Sequence, residues 1–189
     1  MPRDYGQLAP NKVRRQDREV TDKSWIRAFL SKAPYGAFAT VNDDRPFINS
    51  NLFVYDEADH AIYFHTARVG RTQANVDADE AGVAVCFSAF DMGRLLPAPK
   101  ALEFSVEYQG VVAFGTGTIV RDYEEATRVL QLLLDKYAPH LKPGEDYEHI
   151  NEEELKRTAV FKIAIESWSA KKKEVDADFP GAFVYPIGG

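Results

Sequence analysis

What most limits the fold is the way apolar runs alternate with short acidic turns after Pro34. "YGAFATV" ends at "NDDRP", "FINSNLFVY" ends at "DEADH", and "AIYFH" follows. Runs this short, rich in Phe, Tyr, Val and Ile and bounded by Asn, Asp and Pro, read as strands. Such tight turns join antiparallel neighbours, so these three form a meander. "GVAVCFSAF" and "AVFKIAIESWS" add two more strands, the first followed by "DMGRLLPAPKALE" as a loop and the second by a Lys-rich tail, and "FSVEYQGVVAFGTGTIVR" adds a long strand that bends at its glycines.

Helices are few. "TDKSWIRAFLSKA" is amphipathic, with Trp25, Ile26, Phe29 and Leu30 on one side and Thr21 or Asp22 as cap. "GRTQANVDADE" is a second candidate. Asp122 and Glu125 have capping-box spacing before "DYEEATRVLQLLLDKYA", where Ala126, Val129, Leu130 and Leu133 form a stripe. Asn151 and Glu154 repeat the arrangement before a short helix. A doubly wound parallel sheet needs a helix after nearly every strand, and this chain lacks them. The expectation is a mainly β fold with flanking helices, its strands closing into a small barrel. Residues 1–20, polar and aperiodic, read as an N-terminal arm. Residues 21–189 read as one domain, long enough for a real core.

Composition removes several classes of partner. A net charge of -6 repels nucleic-acid backbones and anionic membranes, so neither is expected. One cysteine, Cys86, permits no intrachain disulfide and fits a reducing compartment. The first twenty residues lack the apolar core of a secretory signal, and "AGVAVCFSAF" is too short to span a bilayer. A cytoplasmic location is the expectation.

The stretch "IYFHTARVGRTQANVDAD" concentrates polar donors where a strand gives way to a helix. Alternation puts Ile62 and Phe64 on one face of the strand and Tyr63 and His65 on the other. Arg71 falls in the first helical turn, where free N–H groups and an Arg fork suit phosphate, with Thr66 and Thr72 as hydroxyl donors. The same residues also suit a solvated turn. In "RPFINSNLFVY", Phe47, Asn49 and Asn51 share one face and Ile48, Ser50 and Leu52 the other. Asn and Ser in mid-strand fit either a polar ligand or an edge strand facing water. Trp168, followed by Lys171 to Lys173, suits either a flat phosphorylated ligand or a core ring beside solvated charge. "GTGT" at 115–118 lacks the setting of a dinucleotide fingerprint and reads as a bulge. The four histidines lack metal-ligand spacing, and Cys86 on an apolar strand reads as core.

Taken in order, "RRQDRE", "APYGAFAT", "RPFINSNLFVYD", "IYFHTARVGRT", "GRLLPAPKALEFSVEYQGVVAFGTGTIVRDYEEA" and "IESWSAKK" resemble flavin-nucleotide-binding proteins related to pyridoxamine 5'-phosphate oxidase, including the nitroimidazole-resistance branch. The resemblance implies an FMN-binding split β-barrel, and a homodimer with flavin sites at the interface. By position it implies that Asn49, Ser50 and Asn51 run along the flavin. Phe64 and His65 would lie beside its ring and ribityl chain, and Arg71 would grip its phosphate. Trp168 corresponds to a tryptophan near the ring, and Lys173 roughly to a later basic residue. His65 is the catalytic candidate, because its counterpart in the nitroimidazole-resistance branch lies by the flavin. The family's "GRK" reads Gly70-Arg71-Thr72 here, its "YRSV" reads Tyr108-Gln109-Gly110-Val111, and its "SGK" reads Ser169-Ala170-Lys171. The substrate-phosphate residues of the oxidase branch have no counterpart.

The implied function is an FMN oxidoreductase carrying electrons from NAD(P)H to a small electrophilic substrate. Its rivals are a non-catalytic flavin sensor, a reductase using the deazaflavin F420, and a haem protein with His65 as ligand.

Overall fold

The computed structural model describes residues 4–185, so the first three residues of the arm and the last four of the expected domain lie outside it. The chain runs α1 (Lys23–Lys32), β1 (Gly36–Asn42), β2 (Arg45–Asn51), β3 (Val54–Asp56), β4 (Ala61–Ala67), α2 (Arg71–Val76), β5 (Val83–Leu96) and β6 (Ser105–Ile119). It continues through α3 (Tyr123–Tyr137), α4 (Glu152–Leu155), β7 (Thr158–Lys173) and β8 (Phe183–Val184). All strands join one antiparallel sheet in the order β2-β1-β5-β6-β7-β4-β3, with β8 on β5. Asp22 caps α1 through the Ser24 amide, Asp122 caps α3, and Asn151 with Glu154 forms a full capping box on α4. The mainly β fold with flanking helices is the one the sequence leads to.

The sheet does not close. "FINSNLFVY" is two strands: β2 pairs with β1, β3 pairs with β4, and Leu52–Phe53 connects them. The ends of the sheet are therefore consecutive in the chain. Two linking residues reach only about 10 Å, so the sheet curls until its edges meet there, as a barrel split between β2 and β3. At the split the Phe53 amide donates to Tyr137 Oη at 3.0 Å, and the Phe53 carbonyl accepts from Tyr137 Oη at 2.9 Å and Lys136 Nζ at 2.9 Å. The C-terminal end of α3 thus supplies the partners that a ladder strand would have supplied.

Two further expectations are corrected by pairing that crosses long stretches of chain. "DMGRLLPAPKALE" is not all loop, because β5 runs to Leu96 across an irregularity between Met92 and Leu95, where β6 and β8 hold it. Lys171 to Lys173 are not a tail: they continue β7, opposite Gly110, Gln109 and Tyr108. A bulge lies opposite the expected "GTGT" but on the neighbouring strand: Phe114 pairs with Ser167 and Gly115 with Ile165, so the extra residue is Glu166 of β7.

Strands β4 and β7 are covered on both faces. Ile62, Phe64, Phe161 and Ile163 enter the barrel core with Phe38, Phe53, Phe87 and, from α1, Leu30. Ala61, Tyr63 and Val160 face α3 and pack on Ala126, Val129 and Leu133. Double coverage explains why "AIYF" is continuously apolar rather than alternating. No described helix is long and apolar enough to cross a membrane, which says nothing of a β-barrel.

Candidate functional site at the split

Strand β2 is an edge, and its two faces differ. Phe47, Asn49 and Asn51 are half-buried, while Ile48 and Ser50 are exposed. Asn49 Nδ2 donates to Asn51 Oδ1 and to Thr72 Oγ1, each at 3.2 Å, and Asn51 Nδ2 donates to the Asn49 carbonyl at 3.1 Å. Deeper in, Asn75 Nδ2 donates to Thr40 Oγ1 at 2.7 Å, and Asn42 Nδ2 to Asn75 Oδ1 at 3.3 Å. Thr72 and Asn75 are buried, so this network clamps α2 onto β1 and β2. Their polar side chains sit in the interior because each has a partner.

That clamp leaves Arg71 at the start of α2, exposed, with no hydrogen bond or ion pair to another described side chain. Gly70 before it has φ of 133°, a conformation that L side chains rarely adopt, and open space where a Cβ would sit. Thr66, at the end of β4, donates its hydroxyl to the Ala67 carbonyl at 2.9 Å.

His65 and Phe64 point oppositely. Phe64 is fully buried, stacked on Phe161 with centroids 5.0 Å apart, and its side chain belongs to the core. His65 opens onto a groove of about 300 Å³ under α3, walled by Leu52, Leu130, Leu133, Leu134 and Ile150. Its ring reaches solvent, yet partial burial among these leucines lowers its pKa, which favours neutral imidazole at pH 7. The groove walls were not singled out from sequence. The available signal was the excess of leucine in "VLQLLLDKY": Leu134, beside Leu130 and Leu133 of the stripe, widens the apolar face of α3 into a second contact surface.

Asn49, Ser50, Asn51, His65, Thr66, Arg71 and Thr72 thus gather around the split, with Phe64 beneath. Trp168 and Lys173 do not join them within one chain. His65 pairs with Val160 on β7, and Trp168 lies eight residues further on, about 26 Å along an extended strand. Trp168 packs beside the barrel core with its ring edge-on to His60, and Lys173 hydrogen-bonds Ser105 Oγ. Cys86 is half-buried, and burial raises its thiol pKa, the opposite of an activated nucleophile. Among the described residues no cluster of His, Cys, Asp and Glu has the makings of a metal site.

A flavin nucleotide needs a phosphate anchor, donors for a polar ring edge, and an apolar wall. The unpaired Arg71, the Asn49–Asn51 amides beside a free strand edge, and the leucine groove supply these, so the residues present fit the group.

No curated protein matches the chain in sequence. Solved structures do match in fold. The flavocytochrome Anf3 of Azotobacter vinelandii is 18% identical, with a TM-score of 0.76 over 96% of this chain and 87% of its own. A FAD and heme binding protein of Mycobacterium smegmatis is 19% identical, with a TM-score of 0.73 over 91% of this chain and 89% of its own. A candidate 5-nitroimidazole antibiotic resistance protein of Bacteroides thetaiotaomicron is 15% identical, with a TM-score of 0.65 over 81% of this chain and 85% of its own. The family description pyridoxamine 5'-phosphate oxidase matches residues 22–172, nearly the whole of the sheet with its helices, and the chain belongs to that family.

Proposed function

We propose that the chain binds a flavin nucleotide, FMN, at the split between β2 and β3. It then acts as an oxidoreductase between a reduced nicotinamide nucleotide and a small electrophilic acceptor. The observation that carries this reading is the exposed guanidinium of Arg71, unpaired among the described residues, beside the Asn49–Asn51–Thr72 cluster and near the His65 groove. Arg71 holds the phosphate. The Asn49 and Asn51 amides and the Ser50 hydroxyl bind the polar ring edge and ribityl hydroxyls, where donors favour the negative charge of the reduced state. His65 lies against the ring, and bound flavin supplies the hydride chemistry. The flavocytochrome and FAD-binding names of the structural neighbours support a flavin.

A homodimer completes the reading. Val41, Ile48 and Phe90 share the outer face of the sheet and are 63%, 66% and 51% exposed, an apolar surface suited to a second copy. Trp168 and Lys173 reach a flavin only if a partner copy contributes them. Light scattering should give twice the chain mass.

The deciding experiment is the visible spectrum of purified protein after FMN addition and desalting, with FAD in parallel. We expect about one flavin per chain and an Arg71→Ala affinity at least about tenfold weaker. Stoichiometric FMN at unchanged affinity in Arg71→Ala would remove the assignment. Reduction by NADH or NADPH, followed by oxidation with an electrophile, separates an enzyme from a sensor.

A second reading rests on the same groove. A neutral imidazole among Leu52, Leu130, Leu133, Leu134 and Ile150 suits haem ligation, and the names of two structural neighbours include a flavocytochrome and heme binding. A Soret shift on haemin addition that disappears in His65→Ala supports it, and no shift with wild-type protein refutes it.

A further inference from the structure

A second cleft, of about 400 Å³, shares no lining residue with the groove at the split. Lys23 and Arg27 enter it from α1, one helical turn apart. His60 comes from the β3–β4 turn, Glu166, Ser167 and Trp168 from β7, and the N-terminal arm closes one side. Three local irregularities converge on it. Glu166 is the extra residue of the β7 bulge, since Phe114 pairs with Ser167 and Gly115 with Ile165. Bulges re-aim side chains. His60 has φ of 49°, the left-handed region that non-glycine residues seldom occupy, and its carbonyl accepts from the Ile165 amide at 3.2 Å, tying turn to bulge. Arg27 gives one Nη to Glu57 at 3.1 Å, and its buried Nε has no partner among the described residues.

The imidazole is held in place. Its Nδ1 lies 3.2 Å from Tyr55 Oη, and its ring meets Trp168 edge-on at 4.8 Å between centroids. With the Tyr55 hydroxyl donating to Nδ1, the neutral ring carries its hydrogen on Nε2, a donor. Burial, then Arg27, then Lys23 lower the pKa of His60, so both charges acting on it are positive. Lys23 makes no ion pair among the described residues. Glu166 faces the cleft from the other side, with one oxygen accepting from Thr116 Oγ1 at 2.7 Å. Glu57 and Glu166 together disfavour a dianion, whereas one negative charge suits the space between Lys23, Arg27 and His60.

We propose that this cleft binds a small aromatic carboxylate, its carboxylate held by Lys23, Arg27 and the His60 Nε2–H and its ring packed against Trp168. A guanidinium matches a carboxylate in shape as well as charge, and the cleft volume suits one ring with a short substituent. Within one chain the site shares no residue with the groove at the split; it takes Trp168 for the ring of the carboxylate in place of a partner copy's flavin, and so stands whether or not flavin binds.

The test is ¹⁹F NMR of 4-fluorobenzoate titrated with the full-length protein, with neutral 4-fluorobenzamide as control. A saturable shift for the acid and none for the amide is expected. Lys23→Gln, at an exposed position, and His60→Asn, which tolerates the left-handed backbone, should each weaken binding about tenfold. Arg71→Ala should bind the acid as wild type does, separating this site from the flavin reading. No saturable response, equal binding of the amide, or unchanged binding in both cleft variants would overturn the proposal.

Discussion

Replacing Tyr137 with Phe removes one oxygen from the point where α3 meets the split. That oxygen accepts from the Phe53 amide at 3.0 Å and shares its own proton between the carbonyls of Pro34, at 2.7 Å, and Phe53, at 2.9 Å. The two sides of this exchange are unequal. The Phe53 carbonyl keeps Lys136 Nζ, and the Pro34 carbonyl lies where water can replace the phenol. The Phe53 amide has neither recourse, because Phe53 is fully buried. An unsatisfied buried donor costs about 1–3 kcal/mol, so Tyr137→Phe should destabilise the protein by about 2 kcal/mol. For a chain of this length that lowers Tm by roughly 4–8 °C. Thermal unfolding followed by circular dichroism gives the shift, and hydrogen exchange locates it, since the Phe53 amide should lose protection more than the β5–β6 ladder does. A loss below about 0.5 kcal/mol, with Phe53 exchange unchanged, would show that the amide finds another acceptor and that α3 does not hold the split.

Lys136 should make stability depend on pH. Burial lowers its pKa to about 8 from 10.5, while the Ala33 and Phe53 carbonyls partly offset the cost of the charge. Between those values the unfolded chain holds the proton and the folded chain releases it. Stability therefore rises with pH across that window, by at most about 3 kcal/mol, and is lost again as pH falls through about 8. Urea unfolding of wild type and Lys136→Met from pH 7 to 10.5 should show the slope in wild type alone. Gly115→Ala would set a Cβ 1.9 Å from the Ala164 carbonyl oxygen, against backbone that cannot move without losing the bulge. It should cost more than about 3 kcal/mol or prevent folding, whereas Gly117→Ala meets the Val85 side chain, its nearest methyl at 2.8 Å, and no backbone atom as near, and should cost less; soluble yield and urea midpoints compare them.

Local chemistry decided much of this protein. Apolar runs between Asn/Asp turns specify strands because alternation and turn propensity act over a few residues. Asp122, and Asn151 with Glu154, mark helix starts because a cap is a contact made within one turn. Arg71 at the head of α2 was legible for the same reason: strand, glycine and helix follow each other directly. Whatever depends on partners distant in sequence was decided only by tertiary structure. Nothing in "NSNLFV" marks Leu52–Phe53 as the crossing from one sheet edge to the other, since that break exists only because β2 and β3 pair with different strands, β1 and β4, and the Phe53 backbone between them is satisfied by Tyr137 and Lys136 from far along the chain. Phe64 and His65 are neighbours in sequence, yet one is core and the other lines a groove, because α3 covers the far face of β4. Trp168, Lys23 and His60 became a cleft by the same route. Side-chain period and caps are written in neighbouring residues, whereas what a buried face or an edge strand meets is set by contacts whose loop-closure cost and gain involve the whole chain.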